Sequence, residues 1–413
     1  MEFYDPMLYL STPEHPNMMG VIVGLKEDID GDILKEAVEG LRDRFPYFYV
    51  KAESEGNDLA AVPNPLPMIV RNTWNPVCLN SEESNFHLAA FKYSGRRLAF
   101  ELSHAISDGA GVLPYVKSVM YMYLSKKTGQ AFDPEGFRLP GSAIPESETG
   151  NPFAGLDIDS AEEPLYIKPP VTDFYRLTDD NDNEQRIFFL KIPESDLMQY
   201  CRDTDGSPNV FFSVMLAKAV RRYDPESDKT VSVSVAVDNK AILGNHDNYR
   251  MFANVAELDF PKKRSLDDVT KSCTIARGQL MLQTQKENSL RTIRQRKATF
   301  SQLGMMPLDM KLNMIGKAAG SLRWSASVSY ANSRSFGPLD PFIDELYVVA
   351  EPGTSGVICE IACINHSFFL AFSQAFSSDR FFKAFIEELA LTGIEYSVLA
   401  DEPLRMCSIE RFS

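Results

Sequence analysis

Seven consecutive residues, Ser103-His104-Ala105-Ile106-Ser107-Asp108-Gly109, bring an imidazole, a carboxylate and a glycine together within one corner of the chain. Upstream, Leu98, Phe100 and Leu102 alternate with other residues, the pattern of a strand with one apolar face. The same period of two puts His104 in line with that row, at the strand's end. An imidazole in such a lining has a pKa open to tuning toward working pH. Asp108, four residues on, can reach back across the turn, and Gly109 allows a tight backbone there. A histidine base beside a carboxylate is an arrangement for acid–base catalysis. The competing reading is a partly buried histidine that only satisfies its own hydrogen bonds. The surrounding elements decide between them.

Those elements alternate between strand and helix. Met18–Leu25 reads as a strand, and Asp30 caps a helix with the stripe Ile33, Leu34, Ala37, Val38, Leu41 and Phe45, closed by Pro46. A loop over 63–84 precedes two strands, His87–Tyr93 and Arg97–His104, joined at Ser94-Gly95 as a hairpin. A helix is expected from about Gly111 to Lys127, with Gly129 as its stop. Residues from about 132 to 182 lose periodicity and gather Pro, Gly, Ser and acids, so they read as a linker or crossing segment.

The pattern then restarts. Arg186–Ile192 is a strand, helices follow from Glu194 and from Ser207-Pro208, and Thr230–Val237 is a strand. One long helical region covers about 266–300. A hairpin, 356–364 and 368–375, turns at Asn365-His366-Ser367, and a helix capped near Ser378 follows it. Leu98-Ala99-Phe100 and Leu370-Ala371-Phe372 occupy matching places in the two hairpins. Sliding one onto the other puts Phe376 where His104 stands and Arg380 where Asp108 stands, so only one copy carries the acid–base pair. The expected organisation is an α/β (α+β) protein of two similar halves, residues 1–165 and 183–413, with the site at their seam.

Composition narrows the function. A chain of 413 residues is long for one domain, and 44% hydrophobic with 24% charged content is ordinary for a globular protein. A net charge of −15 argues against nucleic acid and anionic membrane surfaces as partners. No apolar run approaches the roughly 20 residues that span a bilayer. The start, Met1-Glu2-Phe3-Tyr4-Asp5-Pro6, lacks the basic and apolar segments of a secretory signal. Six scattered cysteines do not make a disulfide framework, and a reducing cytoplasm is the expected location.

The corner resembles the His-His-x-x-x-Asp-Gly signature of the chloramphenicol-acetyltransferase-like superfamily, which includes condensation domains, plant-type BAHD enzymes and alcohol or carrier-protein acyltransferases. Ser103 replaces the first histidine, and His104 matches the catalytic one. Val235-Ala236-Val237-Asp238-Asn239-Lys240 with Phe252-Ala253-Asn254 is similar to the Val-Asp-x-Arg strand and the later Gly-Asn turn, without their arginine and glycine. Val328-Ser329-Tyr330-Ala331-Asn332 ahead of Gly337 is similar to a Ser-Asn strand, and Arg44-Phe45-Pro46 ends the opening helix in the family's manner. The Asp-Phe-Gly-Trp-Gly motif of the plant branch is missing.

The resemblance implies two chloramphenicol-acetyltransferase-like subdomains, each a mixed sheet flanked by helices, with the active site in a tunnel between them. It implies an acyltransferase with His104 as general base toward an alcohol or amine and an acyl thioester as donor. That donor is acyl-CoA, or acyl-phosphopantetheine on an acyl or peptidyl carrier protein; no cofactor is held permanently. Backbone groups at Gly109 are the first oxyanion donors, with the Ser329 and Asn332 side chains the second. Asp108 becomes structural support for the site, turned away from the reacting atoms toward a basic partner, Arg334 or Lys240. A non-catalytic binding protein on the same fold is the rival, since several motif positions differ.

Other constellations carry less. Cys359 and Cys363 share a strand face near His366, but their sulfurs would lie roughly 13 Å apart, too far for one zinc. No metal site is expected. Arg291, Arg294, Arg296 and Lys297, with Lys286, form a basic cluster that reads as a solvated helix face or as a seat for donor phosphates. His15, His87, His246 and His366 have no carboxylate at motif spacing.

Overall fold

Apolar rows in the chain assemble into two sheets, each with helices on its outer face and the other face turned toward its counterpart. The structure is a computed structural model that describes residues 7–12, 15–177, 184–319, 323–331 and 335–407. The first half contains α1 (Met7–Leu10), β1 (Met18–Leu25), α2 (Gly31–Gly40), β2 (Val50–Glu55), β3 (Asp58–Pro63), β4 (Val70–Asn72), β5 (Ala89–Ser94), β6 (Arg97–Ser103), α3 (Gly109–Thr128) and α4 (Glu146–Thr149). The second begins with β7 (Arg186–Pro193), α5 (Glu194–Asp203), α6 (Pro208–Tyr223), β8 (Val231–Asp238), α7 (Asn239–Leu243) and β9 (Ala253–Phe260). Three helices follow, α8 (Val269–Gln283), α9 (Lys286–Leu303) and α10 (Leu308–Ala319). The chain then runs through β10 (Ala326–Tyr330), β11 (Ile343–Ala350), β12 (Val357–Ile364), β13 (Ser367–Gln374), α11 (Arg380–Ala390) and β14 (Ser397–Pro403).

The first sheet has the order β11-β1-β6-β5-β4 and the second β14-β7-β13-β12-β10-β8-β9. In the first, Val21 stands opposite Phe100 and Phe91 opposite the same Phe100, so one face presents a continuous apolar row. Tyr115 of α3 packs its ring on Phe91 and Phe100 across that row. In the second, Phe381, Phe382 and Phe385 of α11 lie on Phe372 of β13. Between the sheets, Tyr347 packs on Phe189 and Phe369. Burial of these rings, each 150–250 Å² of mostly apolar area, drives the two layers together.

The helix signals act as expected at several ends. Asp30 accepts from the amides of Asp32 and Ile33, and Gly129 stops α3 with φ +69°. Asn365 and His366 take φ of +48° and +55°, the left-handed pair that a tight two-residue hairpin needs. Four readings change. Helix α2 ends at Gly40 instead of reaching Phe45, because Leu41 turns its amide back to Val38 and Phe45 precedes a 3-10 turn. The long helical region breaks at Thr284-Gln285 into α8 and α9, and α10 is separate. The loop expected over 63–84 contains β4, and the β2–β3 hairpin precedes it. Finally, β11 comes from the second half of the chain yet forms the edge of the first sheet, antiparallel to β1 with Val348 opposite Val21. Segments 1–165 and 183–413 therefore interlock through that strand.

One cysteine pair adds a second tie. Cys78 and Cys407, 329 residues apart, are joined by a disulfide, whereas Cys201, Cys273, Cys359 and Cys363 are free and buried. The scattered cysteines, read as making no disulfide framework, contain this one pair; a 329-residue separation leaves no spacing signal to read.

Candidate active site

Strand β6 delivers the corner to the seam. Its ladder continues one step past Ser103, where the His104 amide donates to the Asn17 carbonyl at 3.0 Å. The His104 ring nitrogen Nδ1 lies 3.0 Å from the Ser107 carbonyl, which can only accept. In the neutral ring, Nδ1 therefore carries the proton and Nε2 keeps its lone pair.

Asp108 does not reach back to His104. Its Oδ1 accepts from the Gly111 amide at 2.7 Å, capping α3, and from Lys240 Nζ at 2.5 Å. Its Oδ2 accepts from the Phe252 amide at 3.0 Å. Capping aims the carboxylate into the first turn of the helix, away from the ring that precedes it. Of the two basic partners considered, Lys240 is the one, at 1% exposure; Arg334 lies outside the described residues. Asp108 thus pins a helix of the first half to the second half of the chain.

The glycine that the corner cannot replace is Gly111. A Cβ there would sit 2.1 Å from the Tyr249 carbonyl oxygen and 2.5 Å from Ser107 Oγ. At Gly109 a Cβ would meet only Ala331, at 3.7 Å, so the tight backbone expected at Gly109 belongs two residues later. Ser107 Oγ donates to that same Tyr249 carbonyl at 2.7 Å. Ser107, Gly111 and Tyr249 form a docking point that sequence reasoning missed. The Ser-x-x-x-Gly spacing was visible, but its partner lies 142 residues downstream of Ser107.

A cavity of about 730 Å³ opens at this seam. His104, Gly109 and Leu113 line it from the first half, and Asp238, Ser329 and Glu360 from the second. Ser329 and Glu360 are direct neighbours on the parallel strands β10 and β12, and their side chains hydrogen-bond. Burial pushes the Glu360 carboxyl up to about 7, with the Ser329 hydroxyl pulling the other way. Asp238, also on the wall, is raised by burial. Lys117 is lowered by burial; it donates to the Ser335 carbonyl at 2.6 Å and lies over the Phe336 ring. Arg138 completes the wall, tied to the buried Glu148 that Arg44 holds with two short bonds. Asn332 lies outside the described residues. Glu360 is a wall residue that sequence reasoning did not select, since it reads as one acid on an apolar strand; Asp238 entered only as part of the Val237-Asp238 motif match.

No family model and no curated protein matches the sequence. Solved structures do match. Polyketide synthase associated protein 5 from Mycobacterium tuberculosis aligns with TM-score 0.61 and 14% identity, over 92% of this chain and 94% of that one. TRI101 from F. sporotrichioides, solved with coenzyme A and T-2, gives 0.59 and 12%, over 95% and 98%. The condensation domain of the monacolin K polyketide synthase MokA gives 0.56 and 11%, over 94% and 95%. The chain has the chloramphenicol-acetyltransferase-like, condensation-domain fold. On this fold the two lobes meet along the cavity that His104 lines.

The remaining candidates serve the chloramphenicol-acetyltransferase-like frame itself. Arg294 donates to the Ile158 and Ala161 carbonyls and pairs with Glu163, while Lys297 pairs with Asp159. Arg291 also faces Glu163, and Arg296 donates to the Ala253 carbonyl. The basic cluster therefore fastens the crossing segment to α9 instead of lying on a bare solvated face. Cys359 and Cys363 are buried in the second core. His15 pairs with Glu351, and His87, lowered by burial, bonds the Leu66 carbonyl. His366 is a turn residue facing Glu194, while His246 lines the seam cavity. A smaller cavity of about 320 Å³ lies against Glu101 and Lys92, which pair at 2.5 Å, and is covered by residues 402–406. Among the described residues, no helix is long and apolar enough to cross a membrane.

Proposed function

We propose that the protein transfers an acyl group from a thioester to an alcohol or amine, with His104 as the general base. Nε2 of His104 takes the proton of the acceptor as its oxygen or nitrogen attacks the thioester carbonyl. The tetrahedral intermediate collapses, the C–S bond breaks, and the same nitrogen returns the proton to the leaving thiolate. Atoms balance without an acyl-enzyme and without a further reagent. Negative charge on the carbonyl oxygen calls for fixed donors. The first turn of α3 supplies amides without intrahelical partners at Gly109 and Ala110; the single proton of the Ser329 hydroxyl on the opposite wall goes to Glu360. Asp108 is a positioning residue here: it fixes the turn that aims His104.

The observation that carries this reading is the imidazole itself, held through Nδ1 by the Ser107 carbonyl on the wall of the seam cavity. The donor proposed is acyl-CoA in the cytoplasm; support comes from the coenzyme A held by TRI101, which shares the fold. A thioester on a carrier protein would meet the same base by the same steps. The test is thiol release across acyl-CoAs with mixed alcohols and amines. His104→Ala should lower the rate by 10²–10⁴-fold with its unfolding curve unchanged. Equal turnover by the two proteins would remove His104 from the reaction.

A further inference from the structure

One group on the cavity wall has no role in the steps above. Glu360 stands in the row Glu360, Ala362, Ile364 on the face of β12 that looks toward the first sheet, opposite Ala371 of β13. It is 5% exposed, and its Oε2 has no hydrogen-bond partner among the described residues. A buried carboxyl oxygen left without a donor is unfavourable, and such groups are retained where a ligand completes them. The charged and titratable groups facing the same space are His104, Asp108 and Lys117 from the first lobe, Arg138 from the crossing segment, and Asp238, His246 and Tyr330 from the second. Asp108 is met by Lys240, Arg138 by Glu148 and Asp247, and Lys117 by the Ser335 carbonyl. Asp238 accepts from the Lys240 amide, so among the described residues Glu360 is the acid of this cavity with a buried oxygen, Oε2, that still lacks a donor.

We infer that Glu360 binds a basic nitrogen of the acceptor, which makes the acceptor a small organic amine. The inference rests on the proposed function for the location of the acceptor. The nitrogen held by Glu360 is protonated and has no lone pair, so it serves recognition, and the atom acylated beside His104 is a second hydroxyl or amine of the same molecule. Ser329 holds one carboxyl oxygen, and the other accepts from the ligand's N–H groups. A charge-assisted bond of this kind, to a carboxylate as buried as Glu360, discriminates strongly between an amine and a hydroxyl of the same shape.

Isothermal titration of the full chain without acyl donor tests it, with 1,4-diaminobutane against 1,4-butanediol. The diamine should bind at least about tenfold more tightly than the diol at pH 8. Its affinity should fall from pH 8 to pH 6 as Glu360 takes up a proton. Glu360→Gln should cost about tenfold in diamine affinity and flatten the pH dependence; His104→Ala should keep the preference for the diamine. Glu360→Asp, which keeps the charge on a shorter arm, should bind at an intermediate level and covers the case in which the amide variant folds poorly. Equal diamine affinity in wild type and Glu360→Gln, equal affinity for diol and diamine, or no diamine binding at all would overturn the inference. Because the titration needs no turnover, it can succeed where thiol release fails, and the two failures are separable.

Discussion

The hairpin–helix unit β5–β6–α3 and its counterpart β12–β13–α11 share one plan. In each, an antiparallel hairpin lies between a parallel neighbour (β4 or β10) and an antiparallel one (β1 or β7), with a further strand (β11 or β14) outside. They part at the turn into the helix. In the first unit, the turn presents His104 to the seam and its Asp108 grips the other lobe. In the second, Phe376 is buried in its own lobe's core, and Gln374 closes the turn locally, its Nε2 donating to the Phe376 and Ser378 carbonyls. Folding needs only that each turn be satisfied. Chemistry needs the turn to face outward, and only the first does.

Exchanging the side chains at matching places is the strongest way to break this comparison. His104→Phe, which copies the second unit, should cut thiol release about a thousandfold. It should leave stability unchanged or raise it slightly, because polar groups at working sites are often held at the expense of stability. The reverse change, Phe376→His, should cost about 3 kcal/mol by removing a buried ring and adding a polar one, without touching turnover. Urea unfolding with parallel rate assays reads both. A His104→Phe variant that unfolds early would make the imidazole structural.

Asp108 sharpens the comparison next. Asp108→Ala removes a helix cap and leaves the Lys240 ammonium, 1% exposed, without its carboxylate. The loss of one partner of a buried pair costs about 3–5 kcal/mol, read as a shift of the urea midpoint. Adding Lys240→Met should restore much of it, since the stranded charge goes too. Failure of the double variant to recover would assign the loss to the cap and to the Phe252 amide instead.

The half of the site that lay within a few residues was legible, and the half assembled across the chain was not. The His104 corner, the hairpin before it and the helix stop at Gly129 all follow from local spacing, because a strand end, a cap and a left-handed glycine are local events. The repeat in Leu98-Ala99-Phe100 and Leu370-Ala371-Phe372 also showed, faintly, the common plan of the sheets. By contrast β11 is buried over Leu346–Ala350, so it shows no alternation to tell which sheet it joins. Glu360 gave no signal for the same reason: its chemistry arises from the cavity it faces, whose wall is built mostly by residues more than a hundred positions away, His104 and Asp238 among them.

That acid gives a pH-dependent contrast between the lobes. The Glu360 carboxyl is raised to about 7 by burial, against an ordinary value near 4.5. A raised carboxyl favours the folded state while protonated, so its stabilising share is full below the ordinary value and is lost as pH rises through about 7. Glu360→Gln, which mimics the protonated form, should therefore match wild type near pH 4.5. At pH 8 it should exceed wild type by about 3 kcal/mol. The measurement is the difference between the two urea curves at each pH, which cancels all other titrations. A gap that does not widen with pH would mean the carboxyl finds a donor on folding.

The smallest effects belong to the second turn, which carries no acid–base pair. Gln374 is fully buried and donates to two carbonyls, so Gln374→Ala should cost about 1–3 kcal/mol as those acceptors lose their donor. Arg380 is exposed at the start of α11, with its guanidinium over the Tyr223 ring at 5.0 Å. Arg380→Ala should fall within about 0.5 kcal/mol of wild type, as exposed contacts of this kind do. Neither should alter turnover, since neither side chain lines the seam cavity. The informative pair is Arg380→Ala and Asp108→Ala, which remove matching positions of the two units. If both cost several kcal/mol, the position itself is what matters and the carboxylate has no special reach. A wide gap places the difference in what Asp108 holds across the seam, the Lys240 ammonium and the Phe252 amide.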